Sequence, residues 1–375
     1  MKKYKLGELF CGPGGFAMGA ENTNKFKHIW AIDKDPDTID TFKANHPDCR
    51  SIVMDANKLT KKFVESLENI NGFIFGFPCN DFSNAGKKKG FAGEYGGLYK
   101  KAVFVLKHLK KKPEFFVAEN VSNIATSNDS EKNQEKESYK NFKKIMVDLA
   151  GCGYSIYADI FNFMDYSVPQ SRKRIILFGI RKDLFKKKNY IKPNPTTSKK
   201  YITCKEALDE MYKENKKNTL SNNELSSHRD HIISRLKKTN PGQNVWDIGE
   251  LPNVKSARMS NIYKKLDPTK PAYTVTGSGG GGTYMYHYAE DRALTNRERA
   301  TLQTFPFNYI FKGNKNSVRK QIGMAVPIKA AEIIMNNVYQ TLKTKKNLNP
   351  IHDWFIQADT ENLYFKKLFQ EKLKF

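Results

Sequence analysis

The sequence predicts an α/β protein with a doubly wound, mostly parallel, Rossmann-like sheet and a second, smaller, loop-rich domain. One observation is that short apolar runs alternate with amphipathic stretches through the first half of the chain, as they do in sheets built from strand–helix–strand units. Another is a glycine-rich turn directly after the first apolar run. The third is that the alternation stops near Asp183, where a lysine- and proline-rich region begins.

The predicted strands are short apolar runs that precede this change. They are Lys5–Phe10, His28–Ile32, Ser51–Met54, Gly72–Phe75, Phe115–Ala118, Ser155–Phe161 and Arg174–Ile180. Amphipathic helices are predicted where apolar residues recur at helical spacing. They are Thr38–Asn45, Leu98–Lys110, Tyr139–Ala150, Thr295–Phe305 and Lys329–Lys343.

The same patterns divide the chain into four parts. We predict a first domain at 1–185, a second domain at 186–290, a return segment at 291–345 that completes the first domain, and a basic, aromatic tail at 346–375. The second domain is expected to be rich in loops because prolines and a four-glycine run interrupt it.

Charge and cysteine content narrow the class of protein. The chain carries 64 Lys and Arg against 39 Asp and Glu, a net charge of +25, which favours a polyanionic partner such as nucleic acid. A lysine-rich coding bias is the alternative. The five cysteines are scattered without a C-x-x-C pair, which favours reduced thiols and argues against a zinc site. With no apolar run of membrane-span length and no signal peptide, we expect a cytoplasmic protein without a membrane partner.

The glycine-rich turn predicts a nucleotide-type ligand. Phe10, Gly12, Gly14 and Gly15 follow the first strand, and glycines there allow a ligand to approach the backbone closely. Asp33 ends the next strand, in position for ribose hydroxyls. Asp55 ends the third run, in position for an adenine edge. A nicotinamide or flavin dinucleotide, S-adenosylmethionine and a plain turn all remain open on this evidence.

A thiol and a carboxyl group follow two later strands. Pro78 and Cys79 come after Gly72–Phe75, and Glu119 and Asn120 come after Phe115–Ala118. A nucleophile and an acid at neighbouring strand ends suit covalent attack on an electron-poor ring, since a thiolate attacks far better than a hydroxyl. The alternative is a buried structural cysteine and an ordinary strand-end glutamate.

The order of these segments resembles that of the DNA (cytosine-5)-methyltransferases of bacterial restriction-modification systems. The resemblance covers about residues 4 to 342. It rests on Phe10-Cys11-Gly12-Pro13-Gly14-Gly15, Pro78-Cys79, Glu119-Asn120-Val121, Gln170-Ser171-Arg172-Lys173-Arg174, the segment from Arg292 to Pro306, and Gln321-Ile322-Gly323-Met324. Two positions depart from the usual pattern: Asn80 stands where the family usually has Gln, and Met324 stands where it usually has Asn.

The resemblance implies a catalytic set. Cys79 would add to C6 of cytosine, Glu119 would hold or protonate N3, and Arg174 would hold the O2 side. Arg172 would help to keep Cys79 as a thiolate, and Asn120 would fix the turn that carries Pro78 and Cys79. S-adenosylmethionine would be the methyl donor and no metal would be needed. The implied cofactor contacts are Phe10, Gly12, Gly14, Gly15, Asp33, Asp55, Pro78, Leu98 and Val326.

The resemblance also implies double-stranded DNA as substrate, with the target cytosine rotated out of the helix. The mobile loop that would close over it contains Ser83, Lys87, Lys88 and Lys89. The 186–290 domain would recognise the sequence, and its implied DNA-facing residues are Arg258, Thr274, Thr276, Gly279 and Gly280. We expect a monomer in the nucleoid-containing cytoplasm, with a cognate restriction endonuclease acting separately.

Three other functions each fit part of the sequence. An RNA cytosine-5 methyltransferase of the same fold is disfavoured by the long second domain and by the lack of a Cys-Phe-Thr triplet. A catalytically dead DNA-binding regulator is disfavoured by the intact Cys79, Glu119, Arg172 and Arg174. A nicotinamide-dependent oxidoreductase explains the first loop alone.

Overall fold

The computed structural model describes residues 2–77, 97–125, 137–185, 190, 192–197, 200–217, 219–249, 263–277, 285–343 and 353–358. The strands are β1 (Tyr4–Leu9), β2 (Phe26–Asp33), β3 (Arg50–Val53), β4 (Gly72–Phe75), β5 (Phe115–Val121), β6 (Tyr154–Asn162), β7 (Gln170–Ser171), β8 (Lys173–Arg181), β9 (Ala272–Tyr273) and β10 (Trp354–Ile356). The α-helices are α1 (Gly15–Asn22), α2 (Pro36–Asn45), α3 (Lys61–Ser66), α4 (Tyr99–His108), α5 (Glu137–Ala150), α6 (Lys182–Phe185), α7 (Cys204–Glu214), α8 (Asp230–Lys238), α9 (Asn296–Leu302), α10 (Lys315–Met324) and α11 (Ile328–Lys343).

Within these ranges the main sheet has eight strands, in the order β10–β6–β8–β5–β4–β1–β2–β3. The five strands from β5 to β3 are parallel. Strand β8 is antiparallel to both β5 and β6, and β10 is antiparallel to β6. Chain order reverses between β1 and β4, and in open α/β sheets a ligand crevice forms beyond the carboxyl ends of the strands at such a reversal.

The sheet is covered on both faces because successive strand residues point to opposite sides. On one face, Phe73 and Phe75 pack in a core with α3, α4 and α5. On the other face, Ile74 packs in a core with α1 and α11. This arrangement confirms the predicted doubly wound, mostly parallel sheet.

The predicted elements are found with small shifts at their ends. Strand β4 has the predicted bounds, and the other predicted strands differ by a few residues. Helix α2 begins earlier than predicted, at Pro36, because the Asp35 carboxylate accepts the Thr38 N–H at 3.2 Å and caps the helix. Strand β10 was not predicted: it lies within 346–375, which the sequence suggested to be a tail.

The region that follows the sheet contains α7, α8 and β9, and β9 pairs in parallel with β7. Helix α7 shares an apolar core with α9 and α10. A separate small core contains Leu236, Val245, Tyr263, Tyr286 and Ala293. That 186–290 is an independent recognition domain stays a prediction. Among the described residues, no helix combines the length and the hydrophobicity of a membrane span.

Candidate active site

The glycine-rich turn joins β1 to α1 at the reversal in strand order. Phe10, Gly12 and Gly14 all have positive φ, at 60°, 56° and 93°, so the backbone curls tightly before α1 begins. The partly buried Asp33 carboxylate at the end of β2 accepts the Gly12 N–H at 3.1 Å and the Asp35 N–H at 3.1 Å. Burial raises the pKa of Asp33, although these two hydrogen bonds oppose the rise. Asp33 therefore fixes the turn through its hydrogen bond to Gly12.

The side chains of His46 and Tyr309 pack against this turn. A Cβ atom on Gly14 would lie 2.7 Å from His46 Nε2 and 2.9 Å from the Tyr309 hydroxyl, which leaves no room for a side chain there. The Tyr309 hydroxyl donates to the Pro13 carbonyl. Buried His46 in turn lies 2.8 Å from Glu21. Burial alone would raise the pKa of Glu21, but the His46 hydrogen bond and His28 lower it.

Glu119 and Arg174 form an ion pair at the carboxyl end of β5. Val121 of β5 stands opposite Arg174 of β8 in the antiparallel ladder, and Glu119 stands opposite Ile176. Glu119 and Arg174 are therefore diagonal neighbours on one face, within reach of a long side chain. Arg174 Nε lies 2.7 Å from Glu119 Oε1, and both side chains are mostly buried.

Asn120 connects this strand end to the chain that follows β4. Its buried side-chain amide donates to the Phe77 carbonyl at 3.1 Å, and its amide oxygen accepts the Val121 N–H at 2.8 Å. Phe77 immediately precedes Pro78 in the sequence. That Asn120 fixes the turn carrying Pro78 and Cys79 stays a prediction, because that turn lies outside the described residues.

One pocket joins the glycine-rich turn to Glu119. It is lined by Glu8, Phe10, Cys11, Gly12, Gly15, Phe16, Ile74, Phe75, Gly76, Glu119, Met324, Ala325 and Val326. The pocket thus lies where strand order reverses, and it places a carboxylate beside a loop whose backbone is open. Such a site suits a nucleotide-like ligand next to a base.

Comparison with known proteins gives the family. The model of the C-5 cytosine-specific DNA methylase family matches residues 4–340. The chain belongs to this family. It is a DNA (cytosine-5)-methyltransferase, as the motif order predicted.

Curated relatives agree with that assignment, and a solved structure has a similar fold. The type II methyltransferase M.BbvI of Brevibacillus brevis is 43% identical over 364 residues, which is 90% of this chain and 91% of that protein. M.NgoFVII of Neisseria gonorrhoeae is 31% identical, over 98% of this chain and 94% of its own. The fold of S. pombe Dnmt2 is similar, with a TM-score of 0.59 and 15% identity over 92% of this chain and all of that one.

In this methyltransferase the remaining predicted residues fall into three groups. Asp55 caps the short turn after β3 by accepting the Asn57 N–H at 2.8 Å, and Leu98 is buried just before α4. The Thr274 hydroxyl donates to the Ser171 carbonyl at 2.8 Å, and Thr276 follows on the same segment. Outside the described residues lie Pro78, Cys79, Ser83, Lys87, Lys88, Lys89, Arg258, Gly279 and Gly280.

Arg172 is more deeply buried than its predicted role suggests. Its side chain is 2% exposed, and its guanidinium donates to backbone carbonyls of Val275, Gly323 and Ala325. A charge beside the Cys79 thiol therefore stays a prediction for Arg172.

Sequence reasoning missed several residues of the methyltransferase pocket. Glu8 is a carboxylate within an apolar strand, 3% exposed and with Oε2 3.0 Å from His28 Nε2, outside the angular range of a hydrogen bond. A charge inside an otherwise apolar run was the signal that could have identified it. Phe16, Ile74 and Phe75 carry no such signal, because they also fit an ordinary core.

Proposed function

We propose that the enzyme moves the methyl group of S-adenosylmethionine to C5 of a cytosine rotated out of double-stranded DNA, through a covalent adduct with Cys79. The observation that carries this proposal is that one pocket among the described residues is lined by both the glycine-rich turn and Glu119, whose carboxylate is paired with Arg174 at 2.7 Å. In this pocket a bound methyl donor would meet a cytosine that Glu119 polarises.

The pocket fits the methyl donor. Gly12 lines it with a positive φ, and apart from Gly12 and its two chain neighbours no atom of the described residues lies within 4 Å of where a Cβ on Gly12 would stand. The backbone there is open to a ligand at a position that a side chain would fill. Phe10, Gly12, Gly15 and Val326 would hold S-adenosylmethionine, with Asp33 at the end of the next strand. When bound, S-adenosylmethionine supplies the methyl group that C5 receives.

The protonation of the other cysteines supports Cys79 as the nucleophile. Burial raises the pKa of Cys11 well above its usual value, and it raises the pKa values of Cys49 and Cys204 to about 12. Burial also raises the pKa of Cys152. These four thiols are protonated at neutral pH and shielded from solvent, so none suits nucleophilic attack. Cys79 is the fifth cysteine of the chain.

The proposed chemistry balances around the cytosine ring. Cys79 Sγ bonds to C6, the C5–C6 π electrons shift so that C5 becomes nucleophilic, and Glu119 holds or delivers a proton at N3. C5 would take the methyl group as its bond to the donor sulfur breaks, which leaves S-adenosylhomocysteine. A base would then remove the C5 proton, the C6–Sγ bond would break and the ring double bond would return. Arg174 orients Glu119 and offers its remaining N–H groups to the O2 side. Asn120 holds the Phe77 carbonyl and, through it, the start of the nucleophile turn.

We further propose sequence-specific recognition by residues 186–290 and a restriction-modification setting. The net charge of +25 favours DNA phosphates, and relatives that cover most of the chain are named type II methyltransferases. A cognate endonuclease, acting separately, would cleave the unmethylated form of the same sequence. The enzyme would work as a monomer on the nucleoid.

Genome-wide bisulfite sequencing tests the activity. The chain is expressed in a host that lacks cytosine methylation, and unconverted cytosines within one short motif are expected. An intact, folded protein with uniform conversion would contradict DNA methylation and favour an RNA substrate or a dead enzyme.

The covalent step has its own test. A duplex carrying 5-fluorocytosine at the target should form a denaturant-resistant complex with the enzyme and S-adenosylmethionine, because fluorine blocks loss of the C5 substituent. Cys79→Ala should form none while still binding DNA. An adduct retained by Cys79→Ala would assign the nucleophile elsewhere.

A further inference from the structure

Arg172 joins two segments that are far apart in the sequence. One N–H group of its guanidinium (Nη1) donates to the Val275 carbonyl at 2.9 Å, and the other (Nη2) donates to the carbonyls of Gly323 at 3.0 Å and Ala325 at 3.2 Å. Val275 lies just before the glycine run of the predicted recognition domain, and Gly323 and Ala325 lie at the end of α10. One planar group therefore spans both segments.

The two segments cross with almost no free space. A Cβ on Gly323 would lie 1.9 Å from the Gly277 nitrogen, and a Cβ on Gly277 would lie 2.7 Å from the Lys320 carbonyl oxygen. Both distances are too short for any side chain. A movement of either segment is therefore transmitted to the other.

Two buried glutamines, Gln170 and Gln303, also connect Val275 to the end of α10. Gln170 accepts the Val275 N–H at 2.8 Å and donates to Gln303 Oε1 at 2.9 Å. Gln303 donates to the Ile322 carbonyl at 2.6 Å. Both glutamines are fully buried. Since Arg172 holds the Val275 carbonyl and Gln170 holds its N–H, the position of Val275 is fixed on both sides.

One of the joined segments is also a wall of the pocket. Met324, Ala325 and Val326 line it, and the Val326 carbonyl would lie 2.4 Å from a Cβ on Gly15. The glycine-rich turn, the end of α10, Arg172 and Val275 thus form one continuous chain of close contacts.

We propose that Arg172 is a positioning residue that couples the methyl-donor pocket to the DNA-recognition segment, so that each ligand tightens binding of the other. This inference rests on the proposed function, since it takes the pocket for the donor site and 186–290 for the DNA-reading part. In this proposal the planar guanidinium of Arg172 acts by holding two backbone segments together. It does not act by placing a positive charge beside Cys79.

The test measures the coupling as a ratio of dissociation constants. The Kd for a duplex containing the motif that the enzyme methylates is measured by fluorescence anisotropy with and without S-adenosylhomocysteine. For the wild type we expect a ratio within about 5- to 150-fold, the usual range for coupled sites. Arg172→Lys should bring the ratio close to one although it keeps the charge, because a single ammonium group cannot span both segments. Gly277→Ala, which separates the same crossing without touching Arg172, should do likewise.

Matched controls separate coupling from general damage. Arg181→Lys alters an arginine that donates to the Lys112 carbonyl and to Asp183 at the far end of β8. Gly151→Ala adds a methyl group with ordinary contacts of 3.5 Å. Both should keep the wild-type ratio, and circular dichroism checks that every variant is folded.

Two results would overturn the inference. One is a wild-type ratio of one. The other is that Arg172→Lys keeps the wild-type ratio while Arg172→Met moves the acid limb of the kcat/KM pH profile to higher pH. Such a shift is the result expected if Arg172 acts as a charge beside the Cys79 thiolate. Failure of the proposed function is distinguishable, because the wild type would then form no adduct with the 5-fluorocytosine duplex.

Discussion

At the scale of single residues, the cysteines divide by burial. Cys11, Cys49, Cys152 and Cys204 are buried within apolar cores, and burial raises the pKa of each. Their role is to pack, since a thiol that stays protonated is a weak nucleophile.

Alkylation of the native enzyme should therefore select Cys79. With brief exposure to iodoacetamide at pH 7.5, mass spectrometry should find the label on the peptide containing Cys79. In Cys79→Ala the native protein should stay unlabelled, while the same variant unfolded in guanidinium should label at the other four. Rapid native labelling of Cys11 or Cys49 would contradict the assigned burial.

The Glu119–Arg174 pair is a second residue-scale feature. Glu119→Gln keeps the shape of the side chain but removes its proton chemistry, so single-turnover methylation should slow by roughly 10²- to 10⁴-fold. Glu114→Gln is the matched control, since Glu114 precedes the same strand at its opposite end and accepts from Asn71 at 2.8 Å. An unchanged rate in Glu119→Gln would remove this carboxylate from the chemistry.

At the scale of elements, α9 is fixed by a buried acid. Thr295 and Glu298 form a capping box, and Arg292 donates to Glu298 at 2.8 Å. Burial opposes ionisation of Glu298, yet the bond to Arg292 keeps its pKa below the usual value of 4.5. A lowered pKa stabilises the fold at pH values above 4.5, and this stabilisation is lost as pH falls through the folded-state pKa.

Glu298→Gln should show this dependence directly. At pH 7 the free energy of unfolding should fall by about 1–3 kcal/mol, because Arg292 loses its buried partner but keeps its ion pair with the exposed Glu290. The gap from the wild type should narrow in urea titrations below pH 4.5. Glu65→Gln, which breaks an exposed pair with Lys61, should change stability by less than about 1 kcal/mol at either pH. A gap that does not vary with pH would contradict the ionised state of Glu298.

Element positions could be predicted where one pattern dominates. The buried run Gly72–Phe75 and the amphipathic α11 were predicted from their apolar residues alone. The antiparallel direction of β8 was not predictable, because β8 is as apolar as the parallel strands of the sheet. Strand β10 is too short to show the alternation of apolar and polar residues that indicates a strand. The carbonyls that Arg172 binds lie 103 to 153 residues away from it in the sequence, so no local pattern could predict those contacts. Glu119 and Arg174 were identified because the motifs of a known family carry both residues, but the ion pair between them was not predicted.

At the scale of the whole molecule, the C-terminal residues complete one edge of the sheet. Trp354 pairs with Ala158 of β6 and packs edge-on against Phe142 at 5.4 Å. Asp353 accepts the Ile160 N–H at 2.9 Å. This edge lies several strands from the pocket between β4 and β1.

Trp354→Ala should therefore weaken the fold without impairing the site. A cost of about 3–5 kcal/mol in the free energy of unfolding is expected for a large buried aromatic, with the Kd for S-adenosylhomocysteine unchanged. Val53→Ala is the control, because that side chain is half exposed and should cost little. A weaker cofactor Kd in Trp354→Ala would show that the edge and the site are linked.

We expect that exchanging residues 186–290 as one unit transfers the recognition of the DNA sequence. Replacing 186–290 by the corresponding residues of M.BbvI, which is 43% identical to this chain, should change the methylated motif to that of the donor. Bisulfite sequencing reads the outcome, and replacement of 291–345 instead should leave the motif unaltered. Retention of the original motif by the first chimera would locate base reading elsewhere.

The support of the glycine-rich turn by Tyr309 also sets an order of events during translation. Pro13 and Tyr309 are separated by 296 residues, and at about 5–20 residues per second the ribosome needs roughly 15–60 s to cover that stretch. The turn that would hold the methyl donor thus emerges early but gains its final contact late. The turn is therefore exposed to the cell without this support until the segment that contains Tyr309 has been made.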